Sequence, residues 1–347
     1  MAITVKNFTA QVEIKDPQTS GRLTIYPVFA ARQTGQPGPP GEELSDHRPL
    51  HYLLLEEALD QGSFEIGEVS TSGEVNTVII NNMTGSPVLI LDGEEILGAK
   101  QNRMVNATIL VATGKKTAVP VSCVEQGRWD YSTDKFGKSD AFGYSTLRRQ
   151  KAEQVRCSLE TNTGFNTDQS AIWEEIDRSS KNLGTESPTG AMHETYSRRE
   201  GELRELVDSF EYIPGQVGVV VYINNRFSCL DLFDKSKTLE KLWTRLLKSY
   251  ALEALNTRGR SLKKPRPEPE ELKKAIEESE YLTYPSVSMG QDLRLSGPGI
   301  TGAGLIVEEE LIHLSIFPAT DKEKQSRSNI RTPRQRRRGM KSDDVIY

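Results

Sequence analysis

The chain is poor in the residue types that usually mark an enzyme or a secreted scaffold. Its three cysteines, Cys123, Cys157 and Cys229, are odd in number and far apart. That pattern argues against a disulfide framework and for a reducing compartment. Four histidines (His47, His51, His193, His313) are too scattered to suggest a metal site. His47 and His51 have the spacing of two ligands on one helical face, but Pro49 between them reads as a helix start, and no nearby Cys or acid completes a set. No cofactor or metal ion is therefore called for. No apolar run reaches the ~20 residues that span a bilayer, and the first residues lack the order of a signal peptide, so a cytoplasmic location is expected. No internal repeat is visible, which excludes solenoids and propellers.

Charge is unevenly spread. Residues 321–347 carry nine Lys or Arg against four Asp or Glu, a net of +5, which leaves residues 1–320 near −10 of the total −5. An acidic body offers no basic folded surface for nucleic acid. Any nucleic-acid contact would fall to the tail, where the run Arg334 to Arg338 reads as disordered and solvated.

What the sequence does have is strand signal. Residues 1–31 contain two early strands, 24–29 the clearer, and the Gly/Pro-rich stretch 32–46 is a loop. Pro49 opens a short helix through Leu50, Leu53, Leu54 and Ala58 to Gly62. Strands are expected at 64–70, 75–81, 87–91, 94–97, 104–111 and 117–124, with Asp92-Gly93 as a hairpin turn. Helices are expected at 145–160, 170–183 and 196–210. A second hairpin turns at Asn224-Asn225 between 216–223 and 226–232 and leads into a helix carrying Leu239, Leu242, Trp243, Leu246, Leu247, Tyr250 and Leu255. Residues 258–270 read as an exposed, extended linker, and the last strands as 286–295 and 304–317.

The expected fold class is α+β: a mainly antiparallel, sandwich-like meander with an inserted helical region and a second hairpin–helix unit. One domain is expected over residues 1–319, strand-rich to 129, helical over 130–212, and strand–helix–strand over 213–319. The basic tail follows as 320–347.

Two polar clusters interrupt this pattern. Lys100, Gln101, Asn102 and Arg103 precede the strand 104–111, and Glu125, Gln126, Arg128 and Trp129 follow the strand 117–124. If these strands pair across a turn at 112–116 with Val111 facing Thr117, Arg103 stands opposite Glu125. Guanidinium and ammonium groups hold phosphate or carboxylate, an indole stacks on a base, and amides read its edge. Glu125 and Glu95 are the candidate catalytic carboxylates, and Glu94 joins the candidate ligand contacts. The competing reading is an ion pair between Arg103 and Glu125 that ties two strand ends together. For Asp92, Glu94 and Glu95 it is ordinary turn chemistry.

Two further strings carry less. Gly297-Pro298-Gly299-Ile300-Thr301-Gly302 matches a dinucleotide-binding motif letter for letter, but strands and no helix follow it, so it reads as a glycine-rich sheet turn. Cys123 neighbours Glu125 and Arg128, yet it alternates with Val119 and Val121, and packing outweighs a thiolate role.

The run from Pro87 through Asp92-Gly93-Glu94-Glu95 to Arg103, followed by Pro120 through Cys123 to Trp129, resembles the ARG (ADP-ribosylglycohydrolase) and rhodanese-phosphatase-associated protein domain family. The resemblance continues through Leu230-Asp231-Leu232-Phe233-Asp234, Leu242-Trp243, Ser249-Tyr250-Ala251 and His313-Leu314-Ser315-Ile316-Phe317, roughly residues 50–318. It implies an α+β domain, mostly prokaryotic, fused to or encoded beside ADP-ribosylglycohydrolase and rhodanese-phosphatase-like domains, either of which is then a candidate partner. It implies no activity of the domain itself. With the charged clusters it suggests binding or processing of an ADP-ribose-like or other nucleotide-derived ligand. Arg103, Arg128 and Lys100 would hold the pyrophosphate, Trp129 would stack on adenine, and Glu125 with Glu95 or Glu94 would serve ribose contacts or acid–base work. The alternative is a non-catalytic interaction or regulatory module.

Overall fold

The computed structural model describes residues 11–31 and 50–320. Strands β1 (Val12–Ile14), β2 (Gln18–Ser20) and β3 (Leu23–Ala30) come first, and β4 (Leu53–Leu54) leads into α1 (Leu55–Asp60). Next come β5 (Phe64–Glu68), β6 (Thr77–Asn82), β7 (Val88–Ile90), β8 (Glu94–Gly98), β9 (Arg103–Val105), β10 (Ile109–Val111), β11 (Lys115–Cys123) and β12 (Phe136–Phe142). Four helices follow: α2 (Ser145–Glu160), α3 (Gln169–Leu183), α4 (Met192–Arg198) and α5 (Glu200–Val207). The hairpin β13 (Gln216–Ile223) and β14 (Arg226–Phe233) precedes α6 (Ser236–Asn256) and α7 (Pro269–Glu277). The last strands are β15 (Glu280–Pro285), β16 (Gln291–Gly297), β17 (Ile300–Val307) and β18 (Glu310–Pro318).

The class is α+β with almost wholly antiparallel sheet. Nine strands form one sheet in the order β1-β3-β13-β14-β18-β17-β16-β15, with β2 also on β3. Six close into a barrel, β11-β6-β5-β12-β8-β9, and β10-β7-β4 form a third sheet. In that third sheet β4 runs parallel to β7.

Burial explains the layering. Every residue of β13 is buried, as its near-continuous run of valines requires of a strand covered on both faces. Val219 and Val221 pack with Leu239, Leu242, Leu246 and Leu247 of α6, while Val220 and Tyr222 pack on the other side with Leu272 and Ile276 of α7. Each such leucine, fully buried, contributes about 1.5–3 kcal/mol. The turn at Asn224-Asn225 has φ of 52° and 57°, the left-handed pair a tight hairpin needs. Asp168 caps α3 by accepting from the Ala171 N–H at 3.2 Å, and Gly184 ends it at φ 64°.

Several sequence expectations change. The stretch 104–111 is not one strand. It divides into β9, in the barrel, and β10, in the third sheet, because Asn106 and Thr108 turn inward. Asn106 bonds to Ser122 and Phe165, and the Thr108 hydroxyl takes the Asp92 N–H. Accordingly β11 pairs mainly with β6, and its end with β9 places Arg103 opposite Cys123, not Glu125. Asp92-Gly93 does reverse the chain, with the Glu94 N–H on the Leu91 carbonyl and Gly93 at φ 96°, yet β7 and β8 belong to different sheets. A turn signal fixes the bend and leaves the partners open. The helix expected from Pro49 begins only at Leu55, because Leu53 and Leu54 pair with β7. Strand β12 lies in the region expected to be helical, and its Gly, Ser and Asp content and the register shift between Lys138 and Phe142 hide it. The helix at 196–210 is two helices that meet at Arg199. The 258–270 linker is largely exposed, but it is pinned to the β13–β14 turn: Leu262 and Arg266 N–H bond to Asn224 and Asn225 carbonyls. Helix α7 and strand β15 follow it unforeseen, and Gly297 to Gly302 spans the β16–β17 turn with no helix after it. The basic tail and the 32–46 loop lie outside the described residues.

Candidate functional site

The two polar clusters do meet, where the β8–β9 connection packs against the segment after β11. Glu125 is the hub. Its Oε2 accepts from the Asn102 N–H at 3.1 Å and from Arg128 Nη2 at 2.6 Å, and its carbonyl accepts from Gln101 Nε2 at 3.0 Å. Arg128 also donates through Nη1 to the carbonyls of Ala99 (2.7 Å) and Asp130 (3.0 Å) and through Nη2 to Asn102 Oδ1 (3.1 Å). Arg103 is fully buried and donates to Gln101 Oε1 at 2.7 Å, and burial lowers its pKa. The ion pair of this edge thus joins Glu125 to Arg128, with Arg103 placed behind it.

What faces outward is aromatic. Lys100 Nζ lies 5.2 Å from the Trp129 ring centroid and 5.1 Å from that of Tyr131, and Arg103 Cζ lies 5.5 Å from the Trp129 ring. Trp129 is 41% exposed, Tyr131 49%, and Gln126 is exposed beside them. Lys100 Nζ donates to the Ser72 carbonyl at 2.8 Å, and the Tyr131 hydroxyl reaches the Thr71 carbonyl at 3.4 Å, so both are seated on the loop between β5 and β6. Sequence reasoning missed Tyr131, whose only signal was a second ring two residues after Trp129.

Glu94 and Glu95 lie elsewhere. Alternation along β8 sends them to opposite sides. Glu94 accepts from Arg245 Nη1 on α6 at 2.7 Å and from the Leu91 N–H at 2.8 Å. Glu95 accepts from Ser139 Oγ at 2.6 Å and stands 3.3 Å from His193 Nδ1. That hydrogen bond, joined by the Asp140 charge and opposed by partial burial, raises the His193 pKa. Among the described residues no hydrogen bond or ion pair joins Glu95 to Glu125. Cys123 is buried beside Arg103, and burial pushes its thiol up, away from a thiolate role.

A second charged assembly fills the centre of the molecule. Arg148 of α2 grips Asp231 of β14 with two bonds, Nη1 to Oδ2 at 2.9 Å and Nη2 to Oδ1 at 2.6 Å. The Tyr250 hydroxyl and Ser315 Oγ donate to the same carboxylate at 2.6 and 2.8 Å. His313 bridges Ser315 (3.2 Å) and Thr108 (2.8 Å), and Lys151 pairs with Asp92 at 2.6 Å. Burial would raise the Asp231 carboxyl, but the Arg148 charge and bonds from His313 and Arg148 hold it well below the usual carboxylate range. Burial lowers the pKa of both His313 and Lys151. Arg148 and Lys151 gave no sequence signal, since Arg-Arg-Gln-Lys at the start of a helix reads as a solvated face. Asp92, Asp231, Tyr250, His313 and Ser315 all come from the strings that carried the family resemblance.

Among the described residues no three His, Cys, Asp or Glu side chains are grouped so as to hold a metal ion, and no helix is long and apolar enough to cross a membrane. The fold and its two assemblies define an α+β protein whose barrel, third sheet and large sheet are tied by one buried ionic centre, with a charged and aromatic edge at the surface. The chain belongs to the ARG and Rhodanese-Phosphatase-superfamily-associated Protein domain family, whose model matches residues 11–317. No curated protein and no solved structure matches it.

Proposed function

We propose that the protein is a recognition module that binds an ADP-ribose-like or other nucleotide-derived ligand at the edge formed by Lys100, Trp129 and Tyr131. One observation carries this reading: two exposed rings flank a single ammonium on a platform in which Glu125, Asn102 and Arg128 are bonded to one another. Exposed rings stack on a base without reading its identity, and the adjacent ammonium favours a phosphate. Arg103 and Arg128 act as the frame under the rings. Gln126 is the exposed amide nearest the stacked base. What favours binding over turnover is that Glu125 is held by Arg128 and that Glu94 and Glu95 are engaged elsewhere. The family's association with ADP-ribosylglycohydrolases supplies the ligand class.

Calorimetric titration of ADP-ribose, with product analysis of the same samples, tests the proposal. Saturable binding is expected, and Trp129→Ala should weaken it by about 1–3 kcal/mol. Unchanged affinity in Trp129→Ala sinks the stacking role, and turnover would return Glu125 and Glu95 to the status of catalytic carboxylates.

A second reading has its own observation. Val69, Val75, Trp129 and Tyr131 are four of the six large hydrophobic residues exposed among the described ones, and the loop that seats Lys100 and Tyr131 lies between Val69 and Val75. Grouped exposed apolar residues mark a protein-binding surface. An ADP-ribosylglycohydrolase or phosphatase retained at one-to-one stoichiometry and lost with Trp129→Ala, in a protein that binds no ADP-ribose, would favour it.

A further inference from the structure

Where residues 51–57 pass the start of α6 they leave a cavity of about 230 Å3, lined by none of the edge residues described above. Lys235, Lys237 and Lys241 bring three ammonium groups to it, and Tyr52, Ser236 and Thr238 bring three hydroxyls. Two of these cations have internal contacts. Lys235 Nζ lies over the Tyr52 ring at 3.9 Å and 3.7 Å from Asp234, and Lys241 pairs with Glu57 at 2.5 Å. Lys237 is exposed and makes no ion pair among the described residues.

Ser236 is the more telling residue. It is only 4% exposed, it lines the cavity, and its hydroxyl makes no hydrogen bond to another described residue. That hydroxyl is left open to the cavity, free to donate to whatever occupies it. The Tyr52 and Thr238 hydroxyls, by contrast, are 2.6 Å from each other, and Tyr52 also donates to Asp234. The backbone adds donors of its own. Lys235, at the N-cap of α6, supplies no side-chain cap, and Ser236, Lys237 and Thr238 of the first turn all line the cavity at the positive end of a 21-residue helix, the Thr238 N–H being held by the Lys235 carbonyl at 3.2 Å. Two carboxylates stand by, and both are engaged: Glu57 by Lys241 and the Leu54 N–H, Asp234 by Tyr52. Three lysines against these two leave a net positive wall.

We infer that this cavity binds the phosphoryl group of a small phosphomonoester, at a site separate from the aromatic edge. Ser236 Oγ–H and the Ser236 and Lys237 amides donate to the phosphoryl oxygens, and Lys237 supplies the charge not already paired. The volume sets the size of the ligand. It falls below the ~300–1,000 Å3 of pockets for drug-sized molecules, which leaves room for a phosphoryl group and a small substituent, not a dinucleotide.

Inorganic phosphate titrated into the full chain, against chloride at matched ionic strength, tests the site by calorimetry. Saturable binding with a Kd of about 1 mM or tighter is expected for phosphate alone. Lys237→Glu and Ser236→Ala should each weaken it by roughly tenfold or more. Lys237→Glu places a carboxylate in the first turn, where the helix dipole favours it, so thermal stability should be kept while phosphate is repelled. Trp129→Ala should bind phosphate like the unaltered protein, so failure of the edge and failure of this cavity are read separately. No saturable heat, equal heat with chloride, or unchanged affinity in Lys237→Glu would each overturn the assignment.

Discussion

Arg148→Met should destabilise the protein by about 3–5 kcal/mol, the cost of leaving a buried charge without its partner. The estimate follows from the geometry at Asp231. Both residues are wholly buried, and two of the carboxylate's four close donors belong to the guanidinium. Without Arg148, the Tyr250 and Ser315 hydroxyls remain, neither of them charged, with His313 Nε2 farther off at 3.6 Å and its protonation disfavoured by burial. Asp231→Asn should cost a similar amount, because it strands the guanidinium between the Phe142 and Phe317 rings, 5.2 and 5.3 Å from their centroids. The double variant removes both charges, so its loss should fall short of the sum of the singles by more than about 1 kcal/mol. Urea denaturation with linear extrapolation reads all three, and a constant slope checks that the unfolding transition is comparable. The pH dependence has a definite sign. A carboxyl held below its unfolded pKa stabilises the fold above that value and loses the contribution as pH falls. The gap between the unaltered protein and Asp231→Asn should therefore narrow as pH falls below the ordinary Asp value of 3.8. Single losses under about 1 kcal/mol, or strict additivity, would refute the view that this pair is a charge-matched lock.

Gly93 makes a separate demand on the same region. At φ 96° an added Cβ would come within 2.9 Å of both Arg148 Cδ and Phe142 Cε1, so Gly93→Ala combines backbone strain with a clash in a packed centre. A loss of about 1–3 kcal/mol in urea denaturation is expected, and a neutral result would show that the turn relaxes without disturbing Arg148. His193 tests the Glu95 contact through pH. Its folded pKa is raised above 6.5, so its stabilising effect is full below that value and fades as pH rises through the folded pKa. His193→Gln should therefore be most destabilising on the acid side, and a gap that is constant or grows with pH would rule out the protonated pair.

How far the sequence reached depends on how local each signal was. Helix α2 at 145–160 and the β13–β14 hairpin were legible because periodicity and the Asn224-Asn225 turn act over a few residues. The convergence of Lys100 to Arg103 with Glu125 to Trp129 was legible too, since antiparallel pairing of β9 with β11 keeps the clusters together even when the register moves by two residues. Partner choice was not. Nothing near Asp92-Gly93 says that β7 turns to β10 while β8 turns to β9 and β12, because that choice is made by burial across three sheets. Nor does alternation reveal that Asn106 and Thr108 face inward, since their acceptors and donors come from Ser122, Phe165, Asp92 and His313, distant in sequence.

The two charged assemblies separate what holds this chain's fold from what its surface offers. The strings that carry the resemblance place Asp92, Glu94, Asp231, Tyr250, His313 and Ser315 in the interior, where each is tied to a cation, a hydroxyl or another sheet. Such a centre is a poor place for chemistry on a diffusing substrate. It suits register instead: β14 and β18 of the large sheet, the β7–β8 turn and helices α2 and α6 must all be in place before its charges cancel. Buried polar groups leave few alternatives, because a partly matched set costs more than none. The rings of Trp129 and Tyr131 invert that arrangement. Their cations lie within about 5.5 Å of the ring centroids and both rings are exposed, so the charge fixes the rings and, under the proposed function, the rings meet the ligand. On this reasoning a change at Trp129 or Tyr131 should alter binding and spare stability. A change at Arg148 or Asp231 should do the reverse at any temperature where the fold survives.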